Sequence, residues 1–130
     1  MKPINPTSIH APIAPYSHAI EVPANAKRLV ISGQLGIRPD GSVPESIDAQ
    51  AEQALENFIA ILDSAGYTLA DVVRLRLYAV REEDLPAIRA VRDRVLGGHE
   101  PVSTLVVVRA LAKPDFLFEI EGEAAKDGLI

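Results

Sequence analysis

Glu119, Glu121 and Glu123 occupy every second position of the stretch FEIEGE near the C-terminus. In an extended chain successive side chains point to opposite faces, so the three carboxylates share one face, and Phe116, Phe118 and Ile120 share the other. A carboxylate enclosed beside others of its kind resists ionisation, through burial and like-charge repulsion, and becomes a base able to accept a proton from water near neutral pH. The same triplet in open solvent is only a wet sheet face. What covers the strand decides between these readings.

Other groups able to do chemistry are few. Tyr16 and His18, two residues apart in PYSHAI, share a face of an extended segment. A phenol there can reach a ligand or water, and an imidazole titrates near neutrality. Ser103 and Thr104 offer hydroxyls, and a nucleophilic role for Ser103 would require a base within hydrogen-bond reach. Arg76 and Arg89 are cations whose plain reading is a surface ion pair. His10, His18 and His99 show no ligand spacing with a carboxylate, so no metal site is expected. SGQLG, containing Gly33, is not a phosphate loop, because no strand-to-helix turn surrounds its glycines.

These side chains need a scaffold, and the sequence patterns one. Residues 1–15, with four prolines, read as an extended arm. Residues 16–22 and 28–37 read as strands, followed by the turn RPDGS. Apolar residues at Ala51, Ala54, Leu55, Phe58, Ile61, Leu62 and Ala65 make a helical stripe, with Ser46 or Asp48 as N-cap and Gly66 as C-terminal stop. Residues 71–80 read as a third strand, with Val73, Leu75 and Leu77 on one face and Arg74, Arg76 and Tyr78 on the other. A second helix is expected over 84–96, capped by Asp84, with Pro86 in its first turn and Gly97-Gly98 ending it. STLVVVRAL (103–111) and residues 116–125 complete the set as strands four and five.

The order β-β-α-β-α-β-β over a chain of 130 residues implies one α+β domain spanning 1–130. Two helices cannot cover both faces of a five-stranded sheet, so both are expected on one face. The glutamate face then stays bare, in a sheet whose strands are too apolar to leave that face in water. Self-association through the bare face follows, with the glutamates in or near the interface. Composition narrows the function. The net charge of −5 and the lack of a basic run argue against nucleic-acid binding. The absence of cysteine removes disulfides and thiolate chemistry and fits a cytoplasmic protein. The N-terminus lacks the apolar core of a signal peptide, and no apolar run reaches the ~20 residues of a membrane span.

Jointly, APYSHAI, VISGQLGI, QAEQALENFIAILDSAGYTLADVVRLRLYAV and FEIEGEAA resemble the Rid (reactive intermediate deaminase, RidA/YjgF) family, from about Ala11 to Ala125. The resemblance implies a chorismate-mutase-like fold assembled as a homotrimer, with the sheets forming a central barrel and small-molecule pockets at the subunit seams. It implies hydrolysis of imines and enamines to 2-keto acids and ammonia, without metal or cofactor. Tyr16 matches the family's pocket tyrosine, Glu119 the glutamate that directs water, and Gly33 and Gln34 the SGQ turn beside the pocket. The chain departs from the family at two places. Ser103 stands where the family's PARS motif has a carboxylate-clamping arginine, and Arg89 stands where many members have an asparagine. A guanidinium gives two charge-assisted hydrogen bonds where a hydroxyl gives one neutral bond, so substrate choice is expected to differ. The resulting expectation is a hydrolase of small imines or related bonds, with Glu119 and Tyr16 catalytic and Ser103, Thr104, Gly33, Gln34, His18 and Arg89 contacting substrate. The alternative is a non-catalytic trimer that binds a small metabolite. Ribonuclease activity, reported for some relatives, fits poorly with an acidic chain lacking a basic groove.

Overall fold

A computed structural model describes residues 1–128. Four strands, β3 (Lys27–Leu35), β4 (Val72–Ala79), β5 (Val102–Val107) and β6 (Phe118–Lys126), form one mixed sheet in the order β3-β6-β4-β5. β6 runs antiparallel to both neighbours, whereas β4 and β5 run parallel. A parallel pair requires a crossover, and α2 (Leu85–Leu96) supplies it; α1 (Ile47–Ala65) links β3 to β4.

Both helices lie on one face of the sheet. Phe58 and Leu62 of α1 and Ile88 and Val91 of α2 pack into a single core with Leu75, Leu77, Phe118 and Ile120 from the strands. Phe118 and Ile120 are fully buried, as the alternation of the C-terminal strand requires. The local signals behind α1 hold as well. The Ser46 hydroxyl accepts a hydrogen bond from the Ala49 N–H at 3.2 Å. At the other end Gly66 sits at φ 82°, and the Gly66 and Tyr67 N–H groups donate back to the Asp63 and Leu62 carbonyls. That left-handed turn is one a β-carbon disfavours. Ser46→Ala is expected to cost about 1 kcal/mol, read as a lower midpoint in denaturant unfolding at unchanged slope.

Three expectations are corrected. The sheet has four strands, not five: of residues 16–22, only Ala19–Glu21 is a strand (β2), and it does not join the sheet. It pairs antiparallel with β1 (Lys2–Ile4), within the stretch read as an extended arm. Asp84 does not cap α2 with its side chain; its carboxylate takes two hydrogen bonds from the Arg81 guanidinium, at 2.8 and 2.9 Å. A bidentate charge-assisted pair outcompetes a single bond to the helix end. The fourth strand ends at Val107, not residue 111. Among the described residues no helix is long and apolar enough to cross a membrane.

Candidate functional site

The face of the sheet away from the helices carries every second residue of β4 and β6. Cross-strand register sets these side chains opposite one another: Tyr78 faces Glu119, Arg76 faces Glu121 and Arg74 faces Glu123. β5 contributes Thr104 beside Arg76 and Val106 beside Tyr78. Uncovered in one chain, this face includes Val30, 74% exposed, and Val106.

The three glutamates have different environments. Glu123 is clamped between Arg74, bonded to its Oε1, and Arg28, whose Nη2 lies 2.5 Å from Oε2. These guanidinium hydrogen bonds, Arg74's first and then Arg28's, hold the Glu123 carboxyl below its ordinary value of 4.5. Glu121 lies 3.6 Å from the Arg76 guanidinium. Among the described residues no ion pair or hydrogen bond engages the Glu119 side chain. Its carboxylate lies over Gly33 on β3: a β-carbon on Gly33 would overlap Glu119 Oε2 and come within 2.8 Å of the carboxyl carbon. Glycine at 33 therefore makes room for this carboxylate, and the SGQ and EIE segments meet in space. Asn57 of α1 steadies the same edge by donating to the Leu35 and Ile37 carbonyls, both at 3.0 Å.

A lowered folded-state pKa stabilises the fold at pH values above the unfolded carboxyl's ordinary range, and the stabilisation is lost as pH falls through the folded value. The Arg28–Glu123–Arg74 clamp is thus at full strength at neutral pH and fades below about pH 4.5. Glu123→Gln is expected to lower the melting temperature at pH 7 and to narrow its difference from the parent protein between pH 5 and pH 3.

Tyr16 and His18 lie elsewhere. Their rings meet edge to face with centroids 5.7 Å apart, and His18 stacks likewise on His10 at 4.9 Å. Between them Ser17 anchors the segment to the chain entering β5, its hydroxyl donating to the Glu100 carbonyl at 2.6 Å and its N–H to Pro101 at 3.2 Å. Pro101 precedes Val102, which is in register with Arg74 and hence with Glu123. Glu119 lies four residues before Glu123 on β6, about 13 Å away at ~3.3 Å per residue. One chain therefore does not bring Tyr16 or His18 to Glu119.

Ser103 and Thr104 diverge. Ser103 is in register with the core residue Leu75, so it points to the helix side; its Oγ is buried with no hydrogen-bond partner among the described residues. Thr104 is exposed on the glutamate face. Arg89 is exposed on α2, on the opposite side of the sheet from Glu119. Gln34 stands in register with Ile120, and its amide donates to the Ser32 carbonyl at 3.1 Å.

Tyr78 is the residue of this face that the sequence reading left out of the site. It is half-buried beside two carboxylates; burial first, and then the Glu121 charge, raise its phenol above the ordinary value of 10.0, which keeps it a proton donor at neutral pH. Its alternation with Arg74 and Arg76 was visible in the sequence, but its place opposite Glu119 is a matter of register.

Comparison with known proteins adds to this geometry. The sequence profile of the family described as Endoribonuclease L-PSP matches residues 7–126. A RutC family protein from Pyrococcus horikoshii is 38% identical over 118 residues, covering 89% of this chain and 90% of the relative. A protein from Salmonella typhimurium named 2-iminobutanoate/2-iminopropanoate deaminase is 31% identical over 120 residues, covering 89% of this chain and 91% of its own. Among solved structures, a Rid-family protein of unknown function from Yersinia pestis superposes with a TM-score of 0.86 at 35% identity, over 96% of this chain and 98% of that one.

Proposed function

We propose, for a chain that belongs to the Endoribonuclease L-PSP family, also known as the Rid or YjgF family, that it hydrolyses small imines or enamines with Glu119 as the group that directs water. One observation carries the reading. Of the three carboxylates on the open face, Arg74 and Arg28 hold Glu123 and Arg76 faces Glu121, while Glu119 keeps its lone pairs free, its carboxylate seated over a glycine that leaves room for it. A base must be unpaired to accept a proton. The phenol of Tyr78 stands across the strand pair from Glu119, with its hydroxyl turned toward Glu121. The relative from Salmonella, named as a deaminase of this substrate type, supports the chemistry.

The separation of Tyr16 and His18 from Glu119 supports a shared site. In a homotrimer closed through the open faces, Glu119 of one chain would meet the Tyr16–His18 segment of the next, and the exposed valines would be covered. The open face also speaks against ribonuclease chemistry: its arginines are paired with glutamates, Arg28 and Arg74 with Glu123 and Arg76 with Glu121, and form no basic track for a phosphate backbone.

The test is ammonia release from 2-iminobutanoate generated in situ by a pyridoxal-phosphate dehydratase. Acceleration by the purified protein, proportional to its concentration, is expected. No acceleration across a panel of 2-imino acids and neutral imines, with saturable binding of one of them, would leave the metabolite-binding alternative in its place.

A further inference from the structure

The β3–β6 ladder is irregular at the place where the candidate site most needs a fixed register. Ile31 pairs with Gly122 and Gln34 with Ile120, so three steps along β3 answer two along β6, and the surplus residue falls at Ser32 and Gly33. A bulge leaves its extra residue unpaired and disrupts the local ladder. The Glu119 carboxylate nevertheless rests over Gly33. Holding it there calls for a restraint from outside the ladder, and α1 supplies one.

Gln50, near the start of α1, is 1% exposed. Its amide spends both hydrogens, on the Pro44 carbonyl at 2.9 Å and the Asp115 carbonyl at 2.8 Å, and its Oε1 accepts from the Leu117 N–H at 2.9 Å. The last two bonds grip the chain on either side of Phe116, as a neighbouring strand would, just before β6 begins. Leu117 is two residues from Glu119, so fixing one sets where the other emerges. The chain leaving β3 meets the same residue: a β-carbon on Gly36 would come within 2.5 Å of the Gln50 carbonyl oxygen and 2.8 Å of its Cα. Two turns along the same helix face, Asn57 donates to the Leu35 and Ile37 carbonyls, and Gln53 donates to Asn57 Oδ1 at 2.9 Å, which turns the Asn57 amide toward those carbonyls. All these bonds lie within one chain and start from a helix on the face away from Glu119, so they hold whatever covers the open face.

We infer that Gln50 is a positioning residue for Glu119: together with Asn57 it holds the end of β3 and the start of β6 in the mutual place that seats the carboxylate over Gly33. The polar positions of QAEQALEN thereby serve a site on the other side of the sheet. The effect of Gln50 on rate rests on the hydrolytic reading; its effect on the seat of Glu119 does not. Gln50→Met keeps the bulk of the side chain and gives up all three bonds. With freshly generated 2-iminobutanoate, kcat is expected to fall about tenfold to a hundredfold, the cost of misplacing a reacting group by up to about 1 Å, with KM within about twofold of the parent. The seat is read separately, by the NMR cross-peak between Gly33 Hα and Glu119 Hγ in the full chain. Glu119 Cγ lies 3.2 Å from a β-carbon built on Gly33, so the peak should be strong in the parent and severalfold weaker in the variant. Ile88→Val trims the core under α2 without touching these bonds; it lowers stability and should keep both the kcat and the cross-peak of the parent. If circular dichroism shows Gln50→Met unfolded, Asn57→Asp, which gives up the bonds to Leu35 and Ile37 at a half-buried position, is expected to lower kcat and the cross-peak severalfold. An undiminished cross-peak or an unchanged kcat in a folded clamp variant would overturn the proposal, and so would an equal loss of kcat in Ile88→Val. A parent that releases no ammonia would end the hydrolytic reading and leave the cross-peak to decide the role of Gln50.

Discussion

Glu119→Gln leaves the protein folded and slows imine hydrolysis by roughly 10²- to 10⁴-fold, the span that a positioned general base contributes. Glutamine keeps the shape and the place over Gly33 but cannot accept the proton of the attacking water. The exchange is mild for the fold, because among the described residues no ion pair depends on Glu119 and its side chain lies outside the core. Glu121→Gln supplies the contrast. That carboxylate faces the Arg76 guanidinium, and the rate is expected to stay within a few-fold of the parent. Gly33→Ala probes the same carboxylate from the other side: the new β-carbon overlaps Glu119 Oε2 and must push it aside. Misplacing a reacting group by about 1 Å costs up to roughly 10²-fold, so this variant should lose rate while the Glu119 carboxylate is still present. The measurement is single-substrate kinetics with freshly generated 2-iminobutanoate. Equal rates for the parent and Glu119→Gln would remove Glu119 from the chemistry, whatever the oligomeric state.

How much of this was legible in the sequence depends on whether a feature is local. The alternation from Phe116 to Glu123 fixes which side chains enter the core, and the structure agrees at Phe118 and Ile120. The Ser46 cap and the Gly66 stop are equally local, and both form. The family was legible too, because its motifs are spread over the chain in a fixed order, and the profile match over residues 7–126 shows it. What escaped depends on register and on distant partners. No local pattern places Tyr78 opposite Glu119, or pairs Glu123 with arginines from β3 and β4. Ser103 sits one residue from Thr104, and only the parallel register with Leu75 reveals which of them faces the helices. The three-residue ribbon strands β1 and β2 are too short for a period-2 signal, and prolines mask the first of them. At Asp84 the local cap signal was real, but Arg81 three residues earlier offered the carboxylate a better partner.

Val30→Asp should turn a trimer into a monomer at micromolar concentration. Val30 is 74% exposed in one chain, on the open face of β3 and in register with Glu123. A large aliphatic side chain left in water there is what an interface between copies would cover. An aspartate at the same place would have to lose its water inside a surface that the interface covers, and the surplus positive charge of the Arg28–Glu123–Arg74 cluster offsets only part of that loss. Taking a charge out of water costs several kcal/mol even after relaxation. At about 3 kcal/mol per interface, three interfaces lose about 9 kcal/mol, which lowers the trimer's formation constant by roughly six powers of ten at 1.4 kcal/mol each. Within one chain the substitution is on the surface, so the monomer should keep its circular dichroism and a cooperative melt. Sedimentation equilibrium of the parent and the variant gives the reading. A parent that sediments as a monomer at micromolar concentration would end the shared-site reading, because within one chain Tyr16 and His18 stand at the Glu123 end of the sheet and not at Glu119. If the parent is a trimer and the variant a folded monomer, hydrolysis should fall with assembly even though Glu119 and Gly33 are untouched. Activity that survives full dissociation would place the whole reaction within one chain.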